Sequence, residues 1–157
     1  MSDSPIEAEI VDTTTTTTAT IRETVAMVDV REFFDRSFGT IGAVLAEQGV
    51  SPVGAAFALY RSQPSDTLDI EVGFPTDRPV AFDRGVGPSE IPGVRAARTI
   101  HRGGFDGLAE AWGRLAQWII GEGEVPSRPY WEVYLTEPSP DMDPADLRTE
   151  LNWAVDG

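Results

Sequence analysis

The helix face Phe38, Ile41, Val44 and Leu45, closed by Gly49, returns 74 positions later as Trp112, Leu115, Trp118 and Ile119, closed by Gly123. The same offset carries Pro52 onto Pro126, Phe57 onto Trp131 and Tyr60 onto Tyr134. With a longer turn in the second copy, Leu68 meets Leu147, Glu71 meets Glu150 and Phe74 meets Trp153. Self-similarity at a fixed offset marks a duplicated structural unit. Chance rarely keeps a helix face, a helix stop and two strands in one register. The fold expected is α+β: two pseudo-symmetric β-α-β-β modules with antiparallel sheets, at approximately 18–76 and 93–156 of a single 157-residue domain.

Local patterns supply the elements. Phe33, Phe34, Phe38, Ile41, Val44 and Leu45 fall at helical spacing and predict a helix over 30–48, with Asp29 or Asp35 as its cap. Leu108, Trp112, Leu115, Trp118 and Ile119 predict a second helix over 105–121. Strands are expected at 6–10, 20–28, 53–60, 68–74, 94–100, 129–135 and 147–155. The threonine run at 13–18 reads as strand or extended linker. Seven prolines and glycines between Pro75 and Gly93 read as a connector, with a short strand at 80–82. Residues 138–144 read as a turn.

The repeat breaks at one chemically conspicuous place. In the strand Tyr130–Trp131–Glu132–Val133–Tyr134–Leu135, alternation puts Tyr130, Glu132 and Tyr134 on one face. The positions matching Glu132 and Tyr130 in the first copy are Ala58 and Ala56. A core built only for packing has no use for the carboxylate, and burying one without a partner is costly. Two readings follow: an edge strand with Glu132 in water, or a pocket at the junction of the repeats into which Glu132 and Tyr130 project.

Composition narrows the functions. The net charge is −14, and all basic residues are arginines. That balance argues against a nucleic-acid partner, whose phosphates need a positive surface. It suits cationic ligands, and it suits plain solubility. There is no cysteine, hence no disulfide, thiolate metal site or cysteine nucleophile. The single His101 excludes a multi-histidine metal site, and in its glycine-rich turn it reads as structural. Residues 1–5 carry neither the basic nor the apolar part of a leader, and no run is long enough to cross a bilayer. A cytoplasmic setting and no cofactor are expected.

Five segments resemble the motifs of GyrI-like domains, also described as AraC-type or bacterial transcription-activator effector-binding domains. Ile100–His101–Arg102–Gly103–Gly104–Phe105 resembles the "H-x-G-x-[YF]" turn that opens the family's second helix. Residues 111–119 resemble its "A-[YW]-x-x-L-x-x-W-[LI]" helix, and 132–138 its "E-x-Y-x-x-[DE]-P" strand. Residues 149–155 resemble its closing "T-x-[IL]-x-x-P-V", with Ala154 where proline is common. Val72–Gly73–Phe74–Pro75 resembles the end of its first repeat, with Thr76 in place of valine. The resemblance covers about 6–155 and implies two fused β-α-β-β modules (an SHS2-like duplication) with a ligand pocket at their junction.

The resemblance implies a stand-alone protein that senses or sequesters lipophilic, aromatic or cationic small molecules. Glu132 would meet the positive charge, with Tyr134 and Tyr60 as pocket walls, then Trp112, Trp153 and Tyr130, and Phe38 and Phe74 last. For each ring, core packing is the competing reading. Two alternatives belong to the same resemblance. One is a small hydrolase of reactive, cyclopropane-containing toxins with Glu132 as its catalytic group. The other is a gyrase-inhibitor-like interaction module whose partner is a protein (a regulator or gyrase). Related haem-binding proteins share the fold, but His101 alone does not mark an axial ligand.

Overall fold

The computed structural model describes residues 7–61, 66–136 and 141–156. It divides the chain into two compact units, Thr14–Gly93 and a second built from Val94 onward together with the segment up to Thr13. We call them the N-terminal and C-terminal units. The described residues form eight strands, paired antiparallel within each unit, and two α-helices. None of these helices is long and apolar enough to cross a membrane.

The N-terminal unit contains β2 (Thr16–Ala26), α1 (Val30–Gln48), β3 (Phe57–Tyr60), β4 (Thr67–Pro75) and β5 (Gly87–Ile91), with strand order β3-β4-β2-β5. The C-terminal unit contains β1 (Ala8–Asp12), β6 (Arg95–Arg102), α2 (Leu108–Gly121), β7 (Val125–Tyr134) and β8 (Arg148–Asp156), ordered β1-β6-β8-β7.

Strand pairing reproduces the repeat residue by residue. Phe57 opposite Gly73 becomes Trp131 opposite Asn152, and Ala58 opposite Val72 becomes Glu132 opposite Leu151. Leu59 opposite Glu71 becomes Val133 opposite Glu150, and Tyr60 opposite Ile70 becomes Tyr134 opposite Thr149. The helix ends repeat as well. Gly49 adopts the left-handed φ of 67° and Val50 N–H donates to Leu45 O at 3.0 Å; Gly123 adopts φ 78° and Glu124 N–H donates to Ile119 O at 3.1 Å. Glycine takes this conformation without the penalty a Cβ brings, and the bond satisfies a carbonyl the helix leaves open.

Each helix covers one face of its own sheet. On α1, Phe33, Ile41, Val44 and Leu45 are buried, as their spacing requires. On α2, Leu115 and Ile119 are buried against Ala97, Leu151 and Val155, with Leu108, Trp112, Trp118 and Trp153 at the margin. Asp29 stands at the cap position of α1, but its side chain makes no capping hydrogen bond.

Several element limits differ from the local reading. The threonine run belongs to β2 from Thr16 onward. The strand expected at 53–60 starts only at Phe57, because Pro52 and Val53 are held instead against Thr76 and Pro75. No strand forms at 80–82; the connector's strand is β5, which contains Pro88. Proline lacks the ladder donor but is tolerated at a sheet edge, and β5 pairs within its unit with β2 alone. A 3-10 turn occupies Pro144–Asp146, and the part of the expected 138–144 turn at 138–140 lies outside the described residues.

Candidate functional site

Tyr130, Glu132 and Tyr134 lie on one face of β7, directly opposite Trp153, Leu151 and Thr149 of β8. Opposed residues of an antiparallel pair share a face. This is the face α2 covers: Trp112 meets Tyr130 edge-on with centroids 5.1 Å apart, and meets Trp153 at 5.5 Å. Tyr130 and Trp153 are 5.3 Å apart, and Trp153 Nε1 donates to Ser127 O at 3.0 Å. Three rings thus close one flank of the strand with geometries that aromatic quadrupoles favour.

Glu132 is 4 % exposed, so the reading that left it in water is corrected. The strand places it between two tyrosines on the face that packs inward, which leaves little of it open to water. Tyr134 Oη–H donates to Glu132 Oε1 over 3.4 Å, a long hydrogen bond, and the Phe105 ring stands edge-on to Tyr134 at 6.0 Å. Burial pushes the Tyr130 phenol above its ordinary value; the Glu132 charge pushes the same way and Arg128 opposes it. A buried acid inside an aromatic cluster can stabilise a positive charge strongly, because little water screens it and ring faces add cation–π attraction.

The remaining sequence candidates belong to the N-terminal unit. Phe38 and Phe74 meet edge-on at 5.6 Å, and Tyr60 is half-buried at the end of β3. His101 is tied into its own turn. Its Nε2 lies 2.9 Å from Gly104 O, and its Cε1 stands 3.0 Å from where a Cβ on Gly107 would sit. Among the described residues no group of three or more acidic or histidine side chains is placed to hold a metal. A surface hollow lined by Val28, Arg31, Glu32, Asp35 and Arg36 contains none of the candidate residues. Phe105 escaped the residue-by-residue reading although it closes a quoted motif. Thr149 escaped too; its signal was the change from Ile70 in the first copy.

The model of one family, the GyrI-like small molecule binding domain, matches residues 7–156. The chain belongs to that family. No curated protein matches the sequence. Among solved structures, this GyrI-like chain is similar to the C-terminal domain of EcmrR, at 20% identity and a TM-score of 0.84, covering 96% of this chain and 98% of that one. In the EcmrR–DNA complex the match covers 96% of this chain but 57% of the EcmrR chain, at 20% identity and TM-score 0.83. SAV2435 bound to tetraphenylphosphonium is similar at 13% identity and TM-score 0.68, covering 97% and 95% of the two chains. A hydrolase encoded by lin2189 from Listeria innocua is similar at 12% identity and TM-score 0.66, covering 96% and 92%. At these identities the likeness establishes the fold that a GyrI-like small-molecule-binding domain adopts.

Proposed function

We propose that this GyrI-like domain binds lipophilic cations, with Glu132 reading the charge and its aromatic neighbours supplying the apolar contact. The observation that carries the reading is a carboxylate only 4 % exposed, flanked on its own strand by Tyr130 and Tyr134. Trp112 and Trp153 back Tyr130. Such a group discriminates between a cation and a neutral molecule of the same shape, because a carboxylate attracts only the charged one and little water screens that attraction. The domain then acts by sensing or sequestering its ligand. The structure of SAV2435 with tetraphenylphosphonium supplies the probe.

The test is titration of tryptophan fluorescence with tetraphenylphosphonium on the wild type and on Glu132→Gln, which keeps the shape and removes the charge. The expected result is quenching of the wild type and an affinity at least about tenfold lower in the variant, or ~1.4 kcal/mol. Equal binding by both proteins, or no binding, sinks the cation reading. The Tyr134 hydroxyl beside Glu132 supports a second reading, a hydrolase in which Glu132 activates water. Turnover of a strained electrophile by the wild type but not by Glu132→Gln would favour it.

A further inference from the structure

The repeat identifies a second polar intrusion next to Glu132. Strand pairing maps Ile70, fully buried opposite Tyr60, onto Thr149, fully buried opposite Tyr134. The N-terminal unit fills these places with Ala58 and Ile70 and packs them as core. The C-terminal unit fills them with Glu132 and Thr149, two polar groups on adjacent strands of one face. Thr149 is diagonal to Glu132, a separation of roughly 7–8 Å between such backbone positions.

The Thr149 hydroxyl also lacks something its neighbours have. Thr99, another buried threonine where the first copy has Ile21, donates to Glu7 O at 2.7 Å. Thr149 Oγ1 is buried and has no hydrogen-bond partner among the described residues; Thr18 Oγ1 and Ser37 Oγ share that state in the N-terminal unit, and Thr149 is the one that stands on the Glu132 face of β7 and β8. Buried hydroxyls are nearly always hydrogen-bonded, because leaving one unmade forfeits its solvation with no return. Valine has the same shape without that penalty, and strands favour it equally. A threonine here is explained if its partner arrives with the ligand.

We infer that Thr149 is the hydrogen-bonding subsite of the ligand site, so that the preferred ligand is a lipophilic cation carrying a donor or acceptor a few atoms from its charge. A threonine hydroxyl serves either kind of group, since it both donates and accepts. The inference rests on the reading of Glu132 as the charge-reading residue. It goes further by assigning a specificity that an all-hydrocarbon cation does not satisfy.

The experiment uses a matched pair of probes, ethyltriphenylphosphonium and (2-hydroxyethyl)triphenylphosphonium, titrated against the wild type, Thr149→Val, Thr149→Ser and Glu132→Gln. The wild type is expected to prefer the hydroxyethyl probe by about fivefold, the size of one net hydrogen bond. That ratio should fall to near one in Thr149→Val and return in Thr149→Ser. A wild type that binds both probes equally, or a preference that survives in Thr149→Val, overturns the Thr149 assignment. Weakening of both probes by Glu132→Gln leaves the charge reading standing in that case. If neither probe binds, or if Glu132→Gln binds both as well as wild type, the charge reading fails and the subsite falls with it.

Discussion

In the N-terminal unit Phe38 meets Phe74 at 5.6 Å and 73°; in the C-terminal unit Trp112 meets Trp153 at 5.5 Å and 77°. The helix-to-sheet contact is therefore preserved while its rings change. The carboxylates behave differently. Glu71 and Glu150 occupy matching places on the sheet face turned away from the helix, and both serve the sheet. Glu71, 3 % exposed, accepts from Thr20 at 2.7 Å and from Arg61 at 2.5 Å. Glu150 meets Arg98 at 3.4 Å and accepts from Asn152 at 3.0 Å. Glu132 has no carboxylate counterpart and lies on the helix face. Acids repeated in both units stitch strands together.

The comparison breaks most visibly at Gly73, whose mate is Asn152. A Cβ at Gly73 would stand 1.9 Å from Ala19 O, so β2 and β4 must part to admit any side chain. Grafting the C-terminal residue, Gly73→Asn, should cost about 4 kcal/mol or more. A urea unfolding midpoint close to wild type would show that the two units are interchangeable here. Arg61→Met strands the buried Glu71 charge and should cost about 3 kcal/mol, at the low end for a broken buried pair because Arg61 is one-third exposed. A loss below about 1 kcal/mol would remove the strand-stitching role of Glu71.

The same acid sharpens the contrast through pH. Burial pushes Glu71 up, but hydrogen bonds from Ser89, Arg61 and Thr20, with the Arg61 charge, outweigh it and hold the carboxyl below its ordinary 4.5. A depressed carboxyl contributes stability that is present above its unfolded value and is lost as pH falls through the folded one. Denaturant melts should therefore weaken below about pH 4.5, and Glu71→Gln should flatten that acid limb. An unchanged limb would assign acid sensitivity elsewhere.

Two smaller effects concern the aromatic flank. Trp153→Phe, which installs the N-terminal unit's ring type, loses the Ser127 hydrogen bond and should cost about 1 kcal/mol. Thermal melts should place it well above Gly73→Asn in stability. The smallest effect should be the tyrosinate absorbance titration of Glu132→Gln. Removing the carboxylate charge should move the Tyr130 transition downward, towards its ordinary value, because burial then acts alone against Arg128. No movement would mean that Glu132 does not carry its charge beside Tyr130.

Much of this arrangement is legible in the chain because it is local. Helix α1 has the limits its spacing predicts, 30–48, and the terminal glycines stand where the repeat puts them. The two offsets, one relating Phe57 to Trp131 and a longer one relating Phe74 to Trp153, are the offsets that carry one strand ladder onto the other. Period 3.6 and period 2 are properties of neighbouring residues, so they survive whatever the tertiary fold does. Edge strands obey no such rule. β1 precedes the first repeat but pairs with β6 of the second, and β5 precedes the second but pairs with β2 of the first. Nothing in 8–12 or 87–91 announces that exchange.

The sequence alone determined the duplicated β-α-β-β frame, the two helix faces and the odd carboxylate on β7, because each is written in spacing and in the comparison of one copy with the other. Only the tertiary structure decided that Glu132 is buried rather than wet, that Glu71 is spent on Arg61 and Thr20, and that the Thr149 hydroxyl is enclosed without a partner among the described residues. Burial and hydrogen-bond satisfaction depend on which distant segments close over a side chain. That is a property of the packed chain and not of any stretch of it.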